Sequence, residues 1–302
     1  MKQRWHEITL MVPHHWDEIL PHFLQEMGFS GLWIDEEGRP PYRLVLRTYI
    51  PEKAWGPYMH EQLEGHLKEL SRIFGDSPLE SELEMRVIDE EDWASKWLPF
   101  FQPLKVGFVW IRPSLKSIPL ASGEQEIVID PGQAFGTGHH ETTRLCLESI
   151  LQVRPFLQDE ASVLDLGTGS GILAMFAVKV GFRNILALDI DHVAVETALR
   201  NIKINRLEDF IRVSNEPLES IKERFSLILA NLSFPLLKNL AEELRLHLFT
   251  DGWLVLSGLL AGETDELLSS LYTKGLELTH KEIKNDWACL ILRSCVKTFD
   301  GF

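Results

Sequence analysis

No run of apolar residues in the 302-residue chain approaches the ~18 needed to cross a bilayer, so no membrane-spanning helix is expected. The apolar stretch at 8–12 is too short for the core of a signal peptide. Cysteine is scarce. Cys146, Cys289 and Cys295 form no CxxC pair and leave an odd thiol, which excludes a disulfide framework and points to a reducing, cytosolic compartment. Positive charge is also short: 30 Lys+Arg stand against 45 Asp+Glu, a net charge of −15. Residues 1–89 hold 9 basic and 16 acidic side chains, and residues 90–302 hold 21 and 29, so both parts are acidic. A surface of that sign repels phosphate backbones and suits a basic protein as partner, although solubility alone would account for it as well. Internal repeats and low-complexity tracts are absent. With 45% hydrophobic and 25% charged residues, disorder, collagen and coiled coil are excluded.

What is present suits two domains. The first part reads as an extended stretch at 5–12, an amphipathic stretch at 17–27, strands at 31–35 and 43–50, a helix at 59–74 and a strand at 83–88. That βαββαβ order predicts a small ferredoxin-like α+β domain over 1–89. The same architecture serves RNA-binding domains, but no segment supplies the basic, glycine-flanked aromatic strand that stacks bases. Residues 90–104 read as a helical linker: acidic residues load its start, Trp93 and Trp97 fall on one face, and Pro99 and Pro103 stop it. Over 105–302 strands and helices alternate, which predicts a doubly wound α/β domain. Its strands are expected at 162–166, 185–189, 225–230 and 252–257, and its helices at 172–180, 192–205, 234–248 and 264–274. A terminal strand pair follows at 276–283 and 287–293.

The sharpest local signal is Asp165-Leu166-Gly167-Thr168-Gly169-Ser170-Gly171, an apolar strand running into a glycine-rich turn and then a helix. Glycines leave no Cβ between backbone and nucleotide, and the helix start offers free N–H donors. Read from Gly169, the spacing Gly169-x-Gly171-x-x-Ala174 also satisfies the dinucleotide pattern, so a nicotinamide oxidoreductase stays open. Asp189, twenty-two residues past Gly167, can accept both hydroxyls of a ribose, whereas Asp191 directly precedes a helix and reads as its N-cap. Asn231 closes the third strand of this domain, where it either meets a reacting amine or caps the next helix. Upstream, Ala134-Phe135-Gly136-Thr137-Gly138-His139-His140-Glu141-Thr142-Thr143 reads as a shaped loop entering a helix. His139, His140 and Glu141 invite a zinc reading. Adjacent histidines are not the i, i+4 pair a helix needs and no third ligand is placed, so no metal is expected.

Together, the 165–171 turn, Asp189 and Ala230-Asn231 resemble the class I S-adenosylmethionine (SAM)-dependent methyltransferases. The loop 134–143 narrows the resemblance to the PrmA-type methyltransferases of ribosomal protein L-eleven (L11). The linker from Asp92 to Trp97, with Phe101-x-Pro103 and Trp110-Ile111-x-Pro113-Ser114, also looks like that family. The resemblance implies a Rossmann-like domain with SAM as methyl donor, and methylation of lysine side-chain and N-terminal amines of L11. It implies that Thr143, Gly167, Asp189 and Asn231 contact SAM, with Asp189 on the ribose and Asn231 near the methyl-transfer centre; Phe135 and Gly169 are further candidates. Residues 1–89 would then recruit the basic substrate. Leu232-Ser233-Phe234 departs from the Ile-Leu-Ala often found there, and 294–302 has no counterpart. A non-catalytic SAM- or ribosome-binding module is the remaining alternative.

Overall fold

The computed structural model describes residues 4–13, 16, 20, 23–24, 27–35, 43–75, 82–89, 102–114, 116–129 and 140–294, with backbone alone at 30–35, 43–44, 82 and 89. Residues 90–101, with Trp93 and Trp97, lie outside the described residues, as do 130–139 and 295–302. By its internal contacts the chain divides into Met1–Phe100 and Phe101–Phe302.

In the first unit, β1 (Arg4–Pro13), β2 (Ser30–Asp35), β3 (Arg43–Pro51) and β4 (Glu82–Asp89) form an antiparallel sheet in the order β2-β3-β1-β4, the ferredoxin-like arrangement. Alternation in β1 turns Ile8, Leu10 and Val12 to one face. There they meet Leu46 and Ile50 of β3, Leu63, Leu67 and Leu70 of helix α1 (Pro57–Phe74), and Trp16, Leu20 and Leu24. Proline in its first turn starts α1 and Gly75, at φ 75°, ends it. Of the expected amphipathic stretch 17–27, Leu20, Phe23 and Leu24 are helical; most of the remainder lies outside the described residues.

The second unit opens with a small sheet, β5 (Leu104–Val106), β6 (Val109–Arg112) and β7 (Gln125–Val128). It continues with α2 (Glu141–Val153), β8 (Ser162–Leu166), α3 (Ile172–Lys179), β9 (Asn184–Leu188), α4 (His192–Ile204), β10 (Ile211–Ser214) and β11 (Phe225–Asn231). Then follow α5 (Phe234–Leu246), β12 (Leu248–Leu260), α6 (Thr264–Tyr272), β13 (Leu276–Lys284) and β14 (Trp287–Ser294). The large sheet runs β10-β9-β8-β11-β12-β14-β13, parallel up to β12 and closed by the antiparallel β13–β14 pair. Its central strands β8, β9 and β11 are largely apolar because both faces are covered, although Asp165 stands within β8. Val163, Ile185, Leu227, Leu229 and Val255 pack with α2, α3 and α4, while Leu164, Leu186, Ile228, Leu254 and Leu256 pack with α5 and α6. Strand order reverses between β8 and β11, which opens a crevice at their carboxyl ends.

Two parts of this unit were not legible as strands. β10 is an edge strand carrying Arg212 and Ser214, and β5–β7 are three or four residues long with Lys105, Arg112 and Glu126 among them. Neither shows the apolar run that both-face burial imposes on the central strands.

Candidate active site

At the carboxyl end of β8 the amides of Gly167 and Thr168 both donate to the Leu188 carbonyl (2.8 and 2.9 Å), tying the glycine-rich turn to β9. Gly167 sits at φ 71°, and a Cβ there would lie 2.5 Å from Leu232 Cδ2. A Gly167→Ala substitution should therefore cost about 1–2 kcal/mol, mostly from the left-handed backbone. Thermal denaturation should show a lower Tm for it and little change for Gly262→Ala, where a Cβ meets open space. Gly171, at φ 83°, ends the turn as the N-cap of α3.

Asp165 is fully buried in β8. Its Oδ2 accepts from the Thr168 hydroxyl (2.6 Å) and the Ala174 amide (3.1 Å), bracing the turn from beneath. Its Oδ1 is equally buried and has no hydrogen-bond partner among the described residues. Burial pushes the carboxyl pKa up to about 6 against the pull of these two bonds, and the negative charge of Asp189 adds to the rise. Sequence reasoning did not single Asp165 out as a site residue. The available signal was a lone carboxylate inside the apolar strand Val163-Leu164-Asp165-Leu166.

One residue beyond β9, half-buried Asp189 accepts from the Gly169 amide through Oδ2 (2.9 Å) and from the Asp191 amide through Oδ1 (3.1 Å). Asp191 caps α4, accepting from the Val193 amide at 2.9 Å, so the two neighbouring acids hold separate posts. At the other lip of the crevice, Asn231 ends β11 and its Nδ2 donates to the hydroxyl of Thr143 at 3.4 Å. Thr143, buried in the first turn of α2, is 88 residues away in sequence. The N-cap of α5 is Ser233, which removes the capping reading of Asn231. Thr143, Gly167, Gly169, Asp189 and Asn231 thus gather around the ends of β8, β9 and β11. Phe135 lies outside the described residues. A separate cavity of about 320 Å³, lined by Phe156, Phe249, Trp253 and Arg293, opens at the amino ends of the strands, away from these groups. Among the described residues no group of three or more His, Cys, Asp or Glu side chains is placed to hold a metal ion.

A family model described as ribosomal protein L11 methyltransferase (PrmA) matches residues 4–294. The chain belongs to that family. The L11 methyltransferase of Caldicellulosiruptor saccharolyticus is 31% identical over 306 residues, covering 96% of this chain and 99% of its own. That of Pelobacter propionicus is 35% identical over 311 residues, covering 98% and 100%. Among solved structures, the ribosomal protein L11 methylase of Lactobacillus delbrueckii subsp. bulgaricus superposes with a TM-score of 0.60 at 28% identity, over 65% of this chain and all of that one. The protein is a methyltransferase of the L11 methyltransferase family with a class I, Rossmann-like catalytic fold, and nothing supports the nicotinamide or non-catalytic alternatives. Fold and family support SAM as the methyl donor. The crevice fits such a ligand: the unpartnered buried oxygen of Asp165 and the carboxylate of Asp189 suit a cationic nucleoside, and the turn between them admits it without a Cβ at Gly167.

Proposed function

We propose that the protein transfers methyl groups from SAM to lysine side-chain and N-terminal amines of ribosomal protein L11, in the cytoplasm where ribosomes assemble. The observation that carries this reading is the extent of the match: relatives named for this activity align with 96% or more of the chain, through both units. Asp189 takes the ribose hydroxyls, Gly167 lets the backbone approach the nucleotide, and Thr143 and Asn231 line the place of methyl transfer. When bound, SAM supplies an electrophilic methyl group on a sulfonium sulfur, which takes back the bonding pair as the amine nitrogen attacks. The Asn231 carbonyl Oδ1 can accept an N–H of the incoming amine, aiming its lone pair along the line of transfer. A lysine of ordinary pKa ~10.4 arrives protonated, so the crevice must desolvate the amine to favour its neutral form. The acidic first unit recruits the basic substrate and raises its local concentration.

The test is to incubate the pure protein with radiolabelled SAM and ribosomes from cells lacking the enzyme. One small basic protein should be labelled on lysine and N-terminal nitrogen; absence of label sinks the reading. In a parallel arm, a protein starting at residue 101 should bind SAM yet fail to methylate intact L11, and added salt should weaken the full chain's hold on L11. Full activity of the shortened protein would refute the recruiting role.

A further inference from the structure

Thr143, which accepts from Asn231, lies in the first turn of α2, and the residue at the head of that turn is His140. His140 occupies the N-cap with extended backbone (φ −68°, ψ 141°). Its Nδ1 accepts from the Thr142 amide at 3.3 Å and lies 2.7 Å from the Thr142 hydroxyl. Serine, threonine, aspartate and asparagine are the usual caps, and an imidazole differs from them in titrating near neutral pH. The β13–β14 hairpin grips the same turn from outside. Trp287 packs edge-on against the His140 ring (centroids 5.0 Å apart, 69° between planes), and Asn285 Nδ2 donates to Glu141 Oε1 at 3.2 Å.

We propose that His140 is a positioning residue for methyl transfer: the neutral ring fixes the first turn of α2, and with it Thr143 against Asn231, and uptake of a proton releases that turn. The inference rests on the role proposed above for Thr143 and Asn231. An imidazolium carries hydrogen on both nitrogens, so Nδ1 loses the lone pair that receives the Thr142 amide. It also sets a cation against the positive end of a helix dipole. Among the described residues, the charged group that acts on the ring is Glu141 in the same turn; Arg144, one turn on, is paired with Glu148, and the hairpin residues against this turn, Trp287 and Asn285, are uncharged. Burial lowers the His140 pKa below its ordinary 6.5, and Glu141 opposes that shift. The cap is therefore intact above about pH 6.5 and is lost as pH falls through the lowered value.

The decisive comparison uses the full chain with His140→Asn, which caps without titrating, and His140→Ala, which does not cap. At about pH 8 the Asn variant should methylate L11 within roughly threefold of wild type, and the Ala variant should be roughly tenfold slower. Between about pH 7 and pH 5 the ratio of wild-type to His140→Asn activity should fall several-fold. Taking the ratio cancels contributions common to both proteins, including the substrate amine and Asp165. A ratio constant across this range, or an Ala variant equal to wild type, overturns the proposal. SAM affinity of wild type and His140→Asn, measured by calorimetry over the same range, should diverge on the acid side because Thr143 belongs to the nucleotide site. If wild type labels no L11 at any pH, the functional reading fails while this affinity ratio still decides the role of His140.

Discussion

Asn231→Ala should lower the methylation rate about a hundredfold while changing SAM affinity by only a few-fold. Asn231 sits where the strand order reverses, and its amide is half committed. Nδ2 is bound to Thr143, and Oδ1 has no partner among the described residues. An acceptor held ready in this way contributes once an amine is aligned for attack, so its loss raises the barrier rather than weakening nucleotide binding. Two to three kcal/mol of transition-state stabilisation corresponds to roughly 10²-fold in kcat. Steady-state kinetics on L11, with calorimetric SAM titration of the same variant, separate the two quantities. Equal losses in both would make Asn231 a binding residue; an unchanged rate would remove it from the site.

The second large effect is expected at Asp189, where Asp189→Ala should weaken SAM binding by ten- to a hundredfold, roughly, in a protein that stays folded. Two contributions add. In the proposed role the carboxylate accepts from the ribose hydroxyls, and charge-assisted hydrogen bonds contribute ~1.5 to 3 kcal/mol each before water competes at a half-buried site. It also receives the amides of Gly169 and Asp191, so its removal loosens the turn that has to shape the nucleotide cradle. Asp189→Asn, which keeps one acceptor oxygen, should fall between wild type and Ala. Calorimetry reads the affinity, and circular dichroism confirms the fold. An unchanged affinity for Asp189→Ala would show that the ribose lies elsewhere.

Much of the catalytic unit was legible because local physics repeats along it. The central strands are largely apolar, each ends at or just before a glycine, an acid or an amide, and a helix follows each. Gly167, Asp189 and Asn231 could be marked as candidates from position, since ligands in open α/β sheets sit at the carboxyl ends of the strands. The short strands β5–β7 and the edge strand β10 escaped notice because each is only three or four residues long and interleaves a charged residue with its apolar ones.

The sequence by itself determined the parallel α/β class of the second part, the strand, glycine-rich turn and helix around 165–171, and the family to which these motifs belong. Only the tertiary structure decided that Asn231 bonds to Thr143 instead of capping α5, and that Asp165 hides an unpartnered oxygen beneath the turn. It also decided that His140, flanked by Trp287, heads the helix carrying Thr143. The physical reason is range. Helix period, strand alternation and glycine backbone freedom act between near neighbours and are written in order along the chain. A hydrogen bond between residues 143 and 231, or a ring contact between 140 and 287, depends on strand order and register, which are settled by the packing of the whole sheet.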